Sequence, residues 1–597
     1  MLIVDVVFDA PIPHPFSYLV PEGCVVRAGQ RVRAPLRGAP RVGLVTAIRE
    51  TTEARSLKPI AGVVDPNPVA SAAQLDLLRW ISAQSLSSLG SSAAALLPPP
   101  LPSSAATTAD AASETTPAGK PELHLGAGRE RRLLAIAERA PLLVLVADGD
   151  ASARWAQRLG RIDRVARLDS TVGDADRARG WADLEAGRVR LAVGTRSAWL
   201  APLPSDGAIA VVEEAEAAHK PPGHPRIHAR DVALERAARE ARRLVLSAGA
   251  PSVEMWWRAT SGYAELVPGD AAPWPAVSIA DTRGILRREP LTPELARMLR
   301  DTLGAGGRTF LAVSRLASAL ACDECGMVVR CPACAVAFSY TRAAALLACR
   351  LCATTAALPE TCPECHGRRL SPFGWGIERV EHAVRRRFPK ARVARYDPDA
   401  RGKKKPAQRA EAIDADVVIG TRGALRLFGR GSLALAGFVA PDQLLRQPDF
   451  RAGERMLGFV WAAAERIRAG GHLIIQSQNP AHHAFEAVAA HDLGRFYAPE
   501  LRFRAELRYP PFRRLAIVTV PSGASPTPDD VAGALAGPDI VVYPPTPARN
   551  GKTHRIVVKS GDALPEAIRA ALQALSPETA ARRGIIDVEV DPVEWLS

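Results

Sequence analysis

The sequence predicts a multidomain α/β protein. It comprises a β-rich N-terminal domain, two successive α/β lobes, a cysteine-rich insert in the second lobe and a small α+β C-terminal domain. Three observations carry this. Short β-type apolar runs alternate with helical segments over residues 122–262 and again over 263–500, the rhythm of parallel α/β layers. The first 66 residues read differently, as brief apolar and polar runs broken by Gly and Pro, the pattern of β-hairpins. Eight of the nine cysteines fall between Cys322 and Cys365, inside the second α/β stretch.

The totals fit this plan. A chain of 597 residues has room for about three to five domains. Its hydrophobic content of 47% with only 5% aromatics points to cores of Ala, Val and Leu. A formal charge of +14 favours an anionic partner, nucleic acid first. No run approaches the roughly 18 apolar residues of a membrane span. The start carries Asp5 and Asp9 without a basic n-region, so it does not read as a secretory signal. Paired thiols that must stay reduced point to the cytoplasm.

In chain order, the N-terminal strands are expected at Ile3–Phe8, Ser17–Val20, Arg31–Ala34 and Val42–Ile48, with positive charge concentrated at Arg27, Arg31, Arg33, Arg37, Arg41 and Arg49. One helical patch, Ser71–Leu89, completes a domain over residues 1–97. Residues 98–121 are rich in Pro, Ala, Ser and Thr; that composition buries no core and reads as a linker. The first lobe has strand-like runs at Leu142–Val146, Val189–Val193, Ala208–Val212 and Leu244–Leu246. The second, over 263–321 and 370–500, has Thr309–Val313, Arg392–Tyr396, Val417–Gly420 and Leu473–Gln476. The tail, 501–597, gives Asp539–Tyr543, Arg555–Lys559 and Ile585–Val590 with a helix near Pro565–Leu575.

The cysteines form four Cys-x2-Cys pairs over 322–369: Cys322/Cys325, Cys331/Cys334, Cys349/Cys352 and Cys362/Cys365. Two residues between thiolates let both sulfurs reach one tetrahedral metal, and a structural zinc takes four such ligands. Eight thiolates therefore suit two Zn²⁺ ions. Disulfides or redox pairs are the competing reading, disfavoured by four regular pairs in an otherwise thiol-poor chain.

Collinear motifs run through these parts. Near the start stand Phe16-Ser17-Tyr18, Pro21, Gly29, Arg31-Val32-Arg33, Leu57-Lys58, Asp65 and Trp80. The first lobe carries Gly194-Thr195-Arg196-Ser197-Ala198 and Pro225-Arg226-Ile227-His228-Ala229-Arg230-Asp231. In the second are Gly374, Gly376, Phe388-Pro389, Arg395, Asp397, Asp399 and Pro448-Asp449-Phe450-Arg451-Ala452, followed by Glu454-Arg455. Ile475-Gln476, Pro480, His482, Tyr509-Pro510-Pro511-Phe512 and the stretch Asp587–Pro592 lead to the end. In content and order the chain resembles the PriA family of replication-restart proteins over nearly its whole length. The resemblance implies a 3′-end DNA-binding module, two helicase-like (RecA-like) lobes and zinc ions in the insert. It also implies partners: branched or forked DNA, single-stranded-DNA-binding protein, other primosomal proteins and the replicative helicase, in a nucleoid-associated cytoplasmic setting.

The departures concern ATP. A helicase cradles phosphates in a Gly-rich loop whose Lys reaches the β/γ oxygens and whose Ser/Thr holds Mg²⁺. The corresponding segment is Leu123-His124-Leu125-Gly126-Ala127-Gly128-Arg129-Glu130. Gly126 and Gly128 remain, Arg129 stands at the Lys position, Glu130 replaces the hydroxyl and Leu123 the first glycine. The acidic motif D-E-E-H falls on Val212-Glu213-Glu214-Ala215, S-A-T on Ala248-Gly249-Ala250. The last motif falls on Ala462, Glu465, Arg466, Arg468 and Ala469, with the finger arginine at Ala469. A finger alone is worth about 10³–10⁵ in rate. The expectation is a degenerate member of the family without ATP hydrolysis and with no catalytic residues, its lobes kept as scaffold. The family's winged-helix domain is also expected to be missing, since only the linker lies between the first module and the first lobe.

In the end-binding module the family's Phe-Asp-Tyr is Phe16-Ser17-Tyr18, so an uncharged hydroxyl replaces the acid that would accept a bond from a DNA 3′ hydroxyl. Phe16 and Tyr18 are placed to stack on a terminal base or to pack a β core, and Lys58 to meet phosphate. The thiol pairs allow three groupings. The spacing of the second and third pairs, 14 residues, is near ribbon spacing, and the family nests the pairs the same way. That assigns Cys322, Cys325, Cys362 and Cys365 to one zinc, and Cys331, Cys334, Cys349 and Cys352 to the other, with His366 unused. Arg330, Arg342, Arg350, Arg368 and Arg369 suit a phosphate backbone, an acidic partner or plain solvent, and Arg401 with Lys403-Lys404-Lys405 either a loop on DNA or a solvated basic turn, the turn being favoured. The leading expectation is a zinc-stapled fork-binding protein that nucleates a restart primosome. The alternatives are a weak 3′-to-5′ helicase using Arg129 with Glu213 or Glu214, and a zinc-ribbon interaction scaffold.

Overall fold

Alternation of apolar and polar residues at the start of the chain builds a five-stranded antiparallel sheet. Its strands are β1 (Leu2–Phe8), β2 (Phe16–Leu19), β3 (Arg31–Leu36), β4 (Ala39–Glu50) and β5 (Gly62–Val63), in the order β2-β1-β4-β3-β5. The computed structural model describes the chain except for residues 51–56, 101–118, 284–288, 314–318, 323–324, 326, 334–336, 342–345, 350–353, 374–375, 399–404, 448, 549–550, 576–585 and 595–597. Most of the expected linker lies outside the described residues, as do Cys334, Cys352, Arg342, Arg350, Gly374, Asp399, Arg401, Lys403, Lys404, Pro448 and Ile585.

In β3 the period of two is plain: Val32, Ala34 and Leu36 are buried while Arg33 is exposed. The expected single helical patch is two helices, α1 (Ala72–Gln84) and α2 (Leu89–Leu96). Ser71 and Gln74 form a capping box at the start of α1. Leu86 then takes a left-handed φ of 52°, which ends that helix, and Ser88 caps the next. A Cβ on Gly90 would lie 1.7 Å from the Phe8 carbonyl oxygen, so α2 packs directly on β1.

The first lobe comprises β6 (Glu122–Leu125), α3 (Arg129–Arg139), β7 (Leu142–Leu145), α4 (Gly149–Leu159), β8 (Val165–Leu168), α5 (Asp174–Glu185), β9 (Leu191–Gly194), β10 (Ala208–Val212), α6 (Ala229–Arg239), β11 (Leu244–Ala248), α7 (Val253–Thr260) and β12 (Glu265–Val267). Its sheet is parallel, ordered β12-β6-β11-β10-β7-β9-β8. The central strands β7, β9, β10 and β11 are buried end to end, which is why they read as unbroken apolar runs. β6, β8 and β12 were not anticipated, because each is short and mixes polar with apolar residues. β12 carries the lobe's sheet past residue 262, beyond the expected boundary.

The second lobe has a parallel six-stranded sheet in the order Ala276–Asp281, Ile467–Ser477, Leu433–Phe438, Thr309–Ala312, Val417–Gly420 and Val393–Tyr396. The cysteine-rich insert follows Thr309–Ala312. Its strands Ala319–Cys322 and Leu370–Phe373 pair antiparallel, and a meander of Ser339–Thr341, Leu346–Ala348 and Thr355–Ala357 lies between them in sequence. The C-terminal domain orders Val541–Val542, Thr553–Ser560, Arg514–Pro521 and Asp587–Val590 into a sheet with helices Pro528–Leu535 and Leu564–Leu575. Helix Gly494–Glu506 runs across position 501, where that domain was expected to begin. The chain divides into two compact units: Met1–Asp270 with Arg508–Pro545 and Arg555–Val593, and Ala271–Leu507 with Thr546–His554 and Glu594–Ser597. Among the described residues no helix is long and apolar enough to cross a membrane.

One sequence motif of the second lobe has a structural explanation. Arg504, fully buried, donates to Glu454 at 2.8 Å and Glu500 at 2.9 Å and lies 5.1 Å from the Phe450 ring centroid. Asp449 accepts from Arg455 at 2.8 Å. The stretch Asp449–Arg455 therefore latches onto helix Gly494–Glu506 through a buried cation. Removing that cation leaves Glu454 with Arg451 at 3.1 Å and Glu500 with His483 at 3.5 Å. Arg504→Ala is therefore expected to cost about 1.5–3 kcal/mol, the worth of hydrogen bonds to charged groups, read as a shift in the urea midpoint of the full chain.

Candidate metal centre and nucleic-acid interface

The insert closes on four cysteines. Cys322 and Cys325 come from its first arm, Cys362 and Cys365 from its last, and their sulfurs all lie within 4.8 Å of one another. Cys322 is 3.6 Å from Cys365 and Cys325 is 3.6 Å from Cys362. A tetrahedral Zn–S bond of about 2.3 Å sets sulfurs roughly 3.8 Å apart, whereas a disulfide needs about 2.05 Å. Each arm is a knuckle of the same build: the Cys322 amide donates to Met327 O at 2.8 Å, and the Cys362 amide to Gly367 O at 2.8 Å.

The charges call for a cation. Burial would raise the Cys362 thiol, but amides of Cys365 and Glu364 and neighbouring thiols hold it at about 7. Cys365 receives an amide bond from Gly367, yet Cys325, burial, Cys322 and Cys362 push it up to about 12. Four thiolates repel one another in this space unless a dication sits among them. The donor set thus fits zinc, and His366, with a left-handed φ of 58°, only turns the chain.

Of the second quartet, Cys331 and Cys349 are both buried in one cluster with Leu320, Val329, Phe338 and Leu347. The Cys349 amide donates to Thr354 O at 2.8 Å, repeating the five-residue closure of the other knuckles. Arg330, Arg368 and Arg369 are exposed on this insert.

In the N-terminal sheet β1 and β2 are paired with Asp5 opposite Ser17. The Ser17 hydroxyl donates to Asp5 Oδ1 at 2.7 Å, and Arg49 grips the same carboxylate at 2.7 and 3.1 Å while donating to Ser17 Oγ at 3.2 Å. Burial alone would raise the Asp5 carboxyl; the bonds from Arg49 and Ser17 and the Arg49 charge hold it below the usual range. Ser17 is therefore part of a three-residue polar group rather than a lone hydroxyl. Phe16 and Lys58 are half-buried and exposed respectively. Tyr18 corrects an expectation: its ring is 5% exposed in the domain core and its hydroxyl donates to Pro35 O at 2.9 Å, so it packs rather than stacks on a base. Arg31 is likewise structural, held by both oxygens of Asp65 at 2.7 Å.

The loop Gly126–Gly128 joins β6 to α3 as a nucleotide cradle would, with left-handed glycines at φ 59° and 80°. Arg129 turns inward. It pairs with Glu213 at 2.6 Å and donates to Gly126 O at 2.7 Å, and Glu213 accepts from the Gly249 amide at 3.3 Å. Glu214 points into the lobe instead, fully buried, accepting from the Ser252 amide (2.6 Å) and hydroxyl (2.9 Å) with Arg230 at 3.5 Å. In the second lobe Arg466 spends its guanidinium on the carbonyls of Leu425 and Ala462.

Two family models match the chain, a 3'DNA-binding domain (3'BD) over residues 5–98 and a primosomal protein N C-terminal domain over 505–593. Among curated relatives, the replication restart protein PriA of Bacillus subtilis is 32% identical over 423 residues, covering 68% of this chain and 52% of the relative. That of Treponema pallidum is 29% identical over 570 residues, 86% of this chain and 85% of the relative. The chain belongs to the PriA replication restart protein family. It spans about half the length of the Bacillus subtilis and Synechocystis relatives, 52% and 51%.

Within this PriA-family fold, sequence reasoning missed Asp5 and Arg49 as partners of Ser17. The signal was available only as strand register, since Asp5 and Ser17 meet across a hairpin. Two expected outcomes follow from the geometry. Cys362→Ser breaks the four-sulfur cage and is expected to lower bound zinc by about one equivalent per chain in plasma mass spectrometry. Glu214 has its carboxyl pushed up to about 7 by burial, against the pull of Arg230. Its folded value lies above the unfolded 4.5, so the protonated form's contribution is full below about pH 4.5 and fades as pH rises through about 7. Glu214→Gln is expected to flatten that slope, by up to about 3 kcal/mol between pH 5 and 8 in denaturant titrations.

Proposed function

We propose that this protein binds DNA at stalled or branched replication forks and starts assembly of the restart primosome, without turning over ATP itself. The match of residues 5–98 to a 3'DNA-binding domain carries the DNA reading. Phe16 supplies a ring for the terminal base, the Asp5–Ser17–Arg49 group meets the 3′ terminus, and Lys58 meets phosphate. Single-stranded-DNA-binding protein, other primosomal proteins and the replicative helicase are the partners that family membership suggests. Two zinc ions hold the insert, the second on Cys331, Cys334, Cys349 and Cys352; Cys331 and Cys349 already share one buried cluster.

The absence of turnover is supported by what the phosphate-handling residues do instead. A weak helicase would need Arg129 to reach phosphate and Glu213 or Glu214 to hold Mg²⁺. Arg129 and Glu213 neutralise each other, and Glu214 is buried on Ser252. Arginine can leave an ion pair, so the test is direct: fork-stimulated ATP hydrolysis is expected at the level of a no-protein control. Hydrolysis that disappears in Arg129→Ala would establish the helicase reading in its place.

Binding should be measured by anisotropy on forked against plain duplex DNA across a salt series. The expected result is tighter binding to the fork and a steep fall with salt, since phosphate contacts release counterions. Phe16→Ala is expected to weaken binding to an end-bearing fork by about 1–3 kcal/mol, the value of one base–aromatic stack. Equal, salt-insensitive affinity for fork and duplex would favour a protein-interaction scaffold.

A further inference from the structure

We propose that Asp270 acts as an internal anion that holds the phosphate cradle of the first lobe shut. The helix α3 has no side-chain cap of its own, because its N-cap residue is Gly128. Its first-turn amides and the positive end of its dipole, about half a unit charge, therefore face out of the loop. The segment Pro268–Asp270, just after β12, is laid across that opening. The Asp270 amide donates to Ala127 O at 3.0 Å. Its carboxylate is gripped by Arg131 at 2.8 Å and Arg132 at 3.1 Å, both on the first turn of α3. The carboxylate lies so close to the loop that a Cβ on Gly128 would stand 1.8 Å from Asp270 Oδ2, and a Cβ on Gly126 would stand 3.2 Å from the Gly269 Cα. Gly128 is thus needed for close approach as well as for its φ of 80°.

A carboxylate bound by two guanidiniums over a helix N-terminus is what a phosphate would be at the same place. An internal anion competes with an external one, and the apparent affinity for the external ligand falls by the fraction of molecules in which the plug is open. Asp270 is 41% exposed at its side chain, so the plug sits at the surface and can be displaced. The ligand class it excludes is a polyphosphate anion. This closure is separate from the Arg129–Glu213 pair, which concerns hydrolysis, and from DNA binding.

The test uses the full, zinc-loaded chain and inorganic pyrophosphate as probe, by isothermal titration calorimetry at low ionic strength. Asp270→Asn keeps the shape and removes the charge; Asp270→Ala removes both. Both variants are expected to bind pyrophosphate at least tenfold more tightly than the unaltered protein, and to gain thermal stability on adding it. The proposal is overturned if the unaltered protein binds as tightly as the variants, which means an open loop. It is equally overturned if a folded Asp270→Asn binds no better, which means that something else excludes the anion. Fork binding measured on the same samples reports on the proposed function separately.

Discussion

Four sulfurs within 4.8 Å of one another form the constraint on which the insert depends. Among the described residues the insert's buried cluster is small: Leu320, Val329, Phe338 and Leu347 with Cys331 and Cys349. Against the pull of the Gly367 amide, hydrogen bonds with Cys325, Cys322 and Cys362 and burial hold Cys365 toward a neutral thiol, and a cation among the sulfurs favours all four thiolates. Once bound, the ion ties residues some forty positions apart, and apparent folding energies of about 10–16 kcal/mol are typical for such sites. Because strands Ala319–Cys322 and Leu370–Phe373 pair side by side, the insert leaves and re-enters the second lobe at neighbouring points. The parallel sheet of that lobe is left unbroken, which is how a module of this size sits in the middle of an α/β layer.

The first lobe shows the opposite economy of charge. Groups that would face a nucleotide are satisfied by one another: Arg129 by Glu213 and Gly126, Glu213 by Gly249, the loop by Asp270. An ion pair with one partner 6% exposed and the other 37% is modest in energy. Its importance is geometric, since it turns Arg129 inward against Glu213 and Gly126 O. The lobe's sheet itself rests on strands β7, β9, β10 and β11, which are buried end to end.

Particular residues show where reading the chain succeeded and where it ran out. Strands buried on both faces announced themselves as apolar runs, and the thiol pairs as metal knuckles. β8 and β12, three or four residues long with a charged residue inside, carry no periodic signal. They exist because a neighbouring parallel strand offers its edge. The two helices α1 and α2 looked like one because both are apolar and the break, at Leu86, is made by a backbone angle rather than by Gly or Pro. Phe16 and Tyr18, two residues apart on β2, share one face and both meet Phe8. Tyr18 is buried while Phe16, the strand's first residue, is only half-buried, a difference that residue type alone does not give.

The sequence by itself determined the α/β fold class and picked out Cys322, Cys325, Cys362 and Cys365 as metal-ligand candidates, because each is a matter of residue type at fixed spacing. Tertiary structure decided the rest. Of three ways to group the thiol pairs, it chose the first with the fourth, because strand pairing brings those two arms together. It gave Ser17 a carboxylate from one strand and a guanidinium from another. It also laid Asp270 over a loop some 140 residues earlier in the chain. Each of these joins groups far apart in sequence, and only the packing of strands fixes such distances.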